Sequence, residues 1–295
     1  MSVTNPPKEK KHSTASNTED GNLHTSQLLI KDTIKLPTIL AIGALIQTAI
    51  IAVAPARYAL IPLVLVLARA IITTIVQTRS PEDNSFATDT VYGRVTAQLP
   101  SRSTGAFGTQ PAAQSLVVFH LGVRINHPLG PLAPGVKEIG EHFNAMTESM
   151  SQRRDEFGML STTMWRSTER ETNNNLMMIA YFRDIQDLNR FAHDKVHREG
   201  WDWYHNFAKK SGNKHIGIYH ETFVASPGQY ETIYVDCVPT LLGASNVRIK
   251  VDDEKHQLQE ETWTRALVSA DHSALRSQSR RMGMVLGLEG KTDMY

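Results

Sequence analysis

Two long apolar runs lie back to back between residues 36 and 77, and they limit what this chain can fold into more than anything else in it. The first, LPTILAIGALIQTAIIAVA (36–54), carries no charge. The second, YALIPLVLVLARAIITTIVQ (58–77), carries only Arg69, and Pro55, Ala56 and Arg57 make the corner between them. As a helix each reaches about 30 Å, the thickness of a bilayer's hydrocarbon core. The expectation is a transmembrane helical hairpin. A signal peptide is disfavoured, because the first run begins only at Leu36 and a second follows at once. Pro62 and Arg69 are costly at mid-membrane, which leaves a re-entrant hairpin or a buried soluble hairpin as competing readings.

Lys8, Lys10, Lys11, Lys31 and Lys35 precede the hairpin and Arg79 and Arg94 follow it, while the corner holds Arg57 alone. The positive-inside rule then puts both ends in the cytosol. The expected location is an endoplasmic reticulum membrane with the soluble part on the cytosolic side. The single cysteine, Cys237, excludes an intrachain disulfide and suits a reducing compartment. A net charge of +1 gives no support to a nucleic-acid partner.

The chain divides by texture. Residues 1–34 are polar, poor in aromatics and expected to be a disordered arm. The hairpin occupies 35–78, and a Ser-, Thr-, Gly- and Pro-rich linker runs over 79–114. A folded domain is expected at 115–245. The last part, 246–295, is expected to be helical, from the spacing of Leu258, Trp263, Leu267, Val268, Leu275 and Met282.

Within the folded part, SLVVFHLGVRI (115–125), a short stretch around Trp165, LMMIAYFRD (176–184) and HIGIYHETFVA (215–225) read as strands. Val136, Ile139, Phe143, Met146 and Met150 form one helical stripe, and Ile185, Leu188, Ala192 and Val196 another. The order β-α-β-β-α-β is that of a ferredoxin-like α+β fold. The first, third and fourth of these strands are expected to be apolar on both faces, and such a sheet asks for a second cover. A second copy, giving a homodimeric barrel, meets that demand; cover by 246–295 of the same chain is the alternative.

His193 and His197 stand four apart, the spacing of a helical metal pair, but no third ligand is obvious. On a continuous helix His197 falls opposite the Leu188–Ala192–Val196 stripe, toward solvent, unless the helix breaks before it, as Gly200 would allow. His220 and Glu221 point to opposite faces of the last strand. Glu221 is an acid–base candidate or an anchor for Arg124 or Arg183, and those two arginines are alternatively expected to bind a carboxylate of the substrate. Gly-rich phosphate loops, cysteine clusters and a serine nucleophile elbow are absent from the sequence.

The segments VVFHLGVRINHPLG (117–130), LMMIAYFRDIQDLNRFAHDKVHREGWDWY (176–204) and HIGIYHETFVASPGQYETIY (215–234) resemble the fungal monooxygenase-like proteins of the antibiotic-biosynthesis-monooxygenase superfamily. The resemblance rests on Gly217, Ile218, His220, Glu221, Thr222, Phe223, Tyr230, Glu231, Ile233 and Tyr234, and it covers about residues 90 to 245. It implies a dimeric α+β barrel, oxygenation of a hydrophobic terpenoid or polyketide in secondary metabolism, and no required cofactor. His197, Glu221, His220 and Arg183 become the expected catalytic groups; Tyr181, Trp201, Trp165, Arg124 and Phe119 are expected to bind substrate. The superfamily also resembles haem enzymes with a helix histidine ligand, which would make His197 an axial ligand. A cyclase or a ligand-binding module remains open, since the fold hosts many roles. The superfamily's aromatic-Trp-x-Ser pattern is replaced here by Tyr181-Phe182-Arg183-Asp184, whereas its His-x-x-x-Trp is kept as His197 and Trp201.

Overall fold

The computed structural model describes residues 36–80, 82, 84–167, 175–212, 214–253 and 258–284. The expected arm at 1–34 lies outside them. The described residues fall into two units that part between Pro62 and Leu63. The apolar runs form helices α1 (Leu36–Val53) and α2 (Ile61–Arg79), separated by Pro55 and a single helical turn at Ala56–Ala59. By length and composition both could cross a membrane. Their few polar side chains are satisfied locally: Thr48 and Thr74 donate to carbonyls one turn back, and Gln47 donates to Ala59 O at 2.7 Å.

Within the second unit, β2 (Leu116–Ile125), α3 (Val136–Gln152), β3 (Met159–Arg166), β4 (Asn175–Phe182), α4 (Ile185–Ala192), α5 (Lys195–Ser211) and β5 (Ile216–Ala225) follow in the expected order. Their strands form an antiparallel sheet, β3-β4-β2-β5, which is the ferredoxin-like arrangement. Strand alternation sends Val117, Phe119, Leu121, Met178, Ala180 and Phe182 to one face. There they pack under Phe143, Met146 and Met150 of α3, Phe157, and Leu188 and Phe191 of α4.

Two expectations need correction. The stretch 79–114 is more than a linker, because it contains strand β1 (Val91–Ala97). The segment 246–295 is not helical where it is described. It forms a hairpin of β7 (Asn246–Asp253) and β8 (Leu258–Arg265), then β9 (Leu267–Ser269) and one helical turn, Gln278–Arg281. Alternating β-branched and aromatic residues (Val247, Ile249, Thr262, Trp263, Thr264) suit a pleated ribbon better than a helix stripe. Strand β1 sits between β6 (Tyr234–Cys237) and β9 in a separate small sheet.

These added strands answer part of the demand for a second cover. Leu116, Val118 and Tyr181, on the face away from the helices, bury against Leu160, Leu242, Val247 and Ala266 of the same chain. The same face opens at its two edge strands: Phe223, directly across from Val118, is 51% exposed and Trp165 45%.

Candidate functional site

The helix expected from Asp184 onward is two helices. Asp194 accepts a hydrogen bond from Val196 N at 3.0 Å and so caps a fresh start for α5, while α4 ends at Ala192. The break comes at His193-Asp194 rather than at Gly200, and it resets the helical phase. His197 therefore turns inward. Its imidazole meets the Phe191 ring edge-on at 5.4 Å, and Nδ1 is shut from water with no hydrogen-bond partner among the described residues.

Burial lowers the His197 pKa; His193 and His220 lower it further, against the Ala192 backbone and Asp194, which raise it. The ring is held neutral, the state a proton acceptor needs. His220 comes from β5 on the helix-side face, with its ring 5.8 Å from Phe119, which in turn meets Phe182 edge-on at 6.4 Å. His197 on Phe191 and His220 on Phe119 are thus two ring contacts on the helix side of the sheet, linked by the electrostatic effect of His220 on His197.

The other expected residues lie elsewhere. Glu221, Tyr181, Trp165 and Arg124 share the opposite face of the sheet. The Glu221 side chain is 66% exposed, and its ion-pair partner is His120 at 3.8 Å, not Arg183. Tyr181 packs into the cluster around Leu160, and burial raises its pKa. Trp201 stands on the outer side of α5, edge-on to His205 at 4.5 Å. Arg183 lies before the first turn of α4, so the eight residues of that helix, about 12 Å of rise, separate it from the His197 end.

At the Arg183 end is a cavity of about 90 Å³, lined by Leu99, Pro100, Arg102, Gln114, Ser115, Leu160, Arg183, Asp184 and Val247. Its framework centres on Asp187, whose side chain is fully buried. Arg102 donates to Asp187 at 3.0 and 3.3 Å and to Asp184 at 2.9 Å, and Arg190 donates to Asp187 at 2.7 Å. Gly158, at φ +57°, makes room, for a Cβ there would come within 1.9 Å of Asp187 Oδ2. Arg102, Gln114, Ser115 and Asp187 escaped the sequence reading. Asp184 and Asp187, spaced as N-cap and third residue of a helix, were the one signal available.

Two groups of expected cofactor chemistry can be weighed here. His193 closes α4 and His197 belongs to α5, so they do not share a helix face, and no three metal-ligating side chains gather among the described residues. A haem on His197 gains no support from this arrangement, in which the imidazole packs edge-on against the Phe191 ring at 5.4 Å and its Nδ1 is shut from water.

The family model described as Monooxygenase af470-like matches residues 116–242. The protein named "Monooxygenase af470" from Aspergillus fumigatus is 43% identical over 249 residues, which is 84% of this chain and 87% of that one. Among solved structures, SnoaB, a cofactor-independent oxygenase from Streptomyces nogalater, shares 16% identity over 37% of this chain and 91% of its own, with a TM-score of 0.27. Aldoxime dehydratase (OxdRE) in complex with butyraldoxime shares 15% identity over 51% of this chain and 39% of its own, with a TM-score of 0.38.

Proposed function

The chain belongs to the Monooxygenase af470-like family, and from that we propose that it is a membrane-tethered, cofactor-independent oxygenase acting on a hydrophobic secondary metabolite. The observation that carries the reading is His197: a half-buried imidazole packed on Phe191, whose Nδ1 has no hydrogen-bond partner among the described residues and whose charged form is disfavoured by burial and by His220. Such a group removes a proton from an activated carbon of the bound substrate. The resulting carbanion supplies the electrons that reduce dioxygen. His220, on the strand beneath, donates to the developing oxyanion. Helices α1 and α2 anchor the chain at the bilayer, where an apolar substrate collects, with the soluble part in the cytosol. A second copy covers the open sheet face around Trp165 and Phe223.

Deleting the gene tests the activity directly. The expected result is loss of an oxidised product and accumulation of a less oxidised precursor, restored by the wild-type gene and not by His197→Ala. An unchanged metabolite profile overturns the proposal. Turnover of the precursor under nitrogen as fast as under air points instead to a cyclase, and binding without turnover to a carrier.

A further inference from the structure

We propose that the cavity at Arg183, which is separate from the His197 group, binds the carboxylate of an organic acid. The argument begins with a local count of charges. Three carboxylates act on Arg183 electrostatically: Asp155, Asp184 and Asp187. Each is already engaged by another arginine. Asp155 accepts from Arg248 at 2.6 Å, Asp184 from Arg102 at 2.9 Å, and Asp187 from both Arg102 and Arg190. The Arg183 guanidinium has no hydrogen bond or ion pair among the described residues, and it lines the cavity. It is the cation left over.

Burial opposes that unshared charge, and Arg102 beside it adds repulsion. An incoming anion relieves both. The lining also fits one kind of anion. Gln114 and Ser115 offer neutral donors, while Leu99, Leu160 and Val247 supply an apolar wall. A guanidinium fork is matched to the two oxygens of a planar carboxylate, and the wall favours an alkyl substituent. The cavity, about 90 Å³, admits a carboxyl group with a few carbons.

The test uses the full-length protein in detergent. Sodium butyrate raises the melting temperature saturably, whereas sodium chloride at equal ionic strength does not. Arg183→Met lowers the butyrate affinity by roughly tenfold or more, as loss of a charge-assisted hydrogen bond does; Arg183→Lys lowers it less, for want of the fork. Decanoate binding as tightly as butyrate assigns the acid group to a longer molecule, and butyrate alone assigns a small acid. Should Arg183→Met fail to fold, phenylglyoxal labelling of the wild type decides: butyrate slows modification of Arg183 as read by mass spectrometry. Equal effects of butyrate and chloride in both assays overturn the proposal. So does inorganic phosphate binding more tightly than butyrate.

Discussion

The two faces of the β3-β4-β2-β5 sheet begin with similar sequence and end differently. On the helix side, Val117, Met178, Ala180 and Phe182 are all buried under α3 and α4. On the other side, only the end at Leu116, Val118 and Tyr181 is covered, and the cover comes from β7 and the segments around Leu242 and Ala266. Across from Val118 on the edge strand Phe223 stands exposed, as do Tyr219 and Trp165 beyond the His120–Glu221 pair. An apolar strand position therefore reports that burial is wanted. It does not report who supplies it.

The sharpest way to break this comparison is to place the same charge at each end of that face. Leu116→Asp, at the covered end, should cost several kcal/mol as an unpaired buried charge and should collapse the urea midpoint. Phe223→Asp, at the open edge, should leave folding nearly unchanged and, under the proposed pairing of two copies, give a monomer on light scattering of the detergent-solubilised chain. A Phe223→Asp protein that stays dimeric removes the second copy from this face.

On the helix side, Gly158→Ala is expected to cost about 3 kcal/mol. It sets a side chain at positive φ and drives it into Asp187. Differential scanning calorimetry reads the loss, and a change near zero would mean that the β3 entry adjusts freely.

A smaller effect follows from His197. Burial lowers its folded-state pKa, so the unfolded chain takes up the proton first as pH falls. Stability from this residue is then present above the unfolded value near 6.5 and is lost progressively as pH drops through it toward the folded value. Urea midpoints at about pH 7.5 and 5.5 should differ more for the wild type than for His197→Asn. Equal differences would place the imidazole in water. Smallest of all, Glu221→Gln removes an exposed pair with His120 and should change stability by less than about 1 kcal/mol.

The ferredoxin-like core was legible because alternation in VVFHLGV and LMMIAYF and the stripe from Val136 to Met150 are local signals. His197 was misread for an equally local reason. The wheel assumed one helix, and the capping potential of Asp194, a single residue ahead of Lys195, outweighs continuity there. Strand β1 was hidden in a different way. VYGRVTA has a weak pattern, with a glycine at φ +86° inside it, and its pairing partners arrive only with β6 and β9. The Arg183 cavity was out of reach, since Arg102, Gln114, Arg183 and Val247 share no spacing that a linear reading can detect.

The placement of β1 has a consequence for biosynthesis. Its Arg94 donates to the carbonyl of Arg276, 182 positions later, and β9 pairs with its other residues. A ribosome releasing this chain from its amino end delivers β1 early and its second neighbour almost last. The four-stranded sheet can close once Ala225 has emerged, but the Leu116–Val118 end then waits bare for Leu242, Val247 and Ala266. In that interval the nascent domain shows a sticky apolar edge, the kind of surface a chaperone covers.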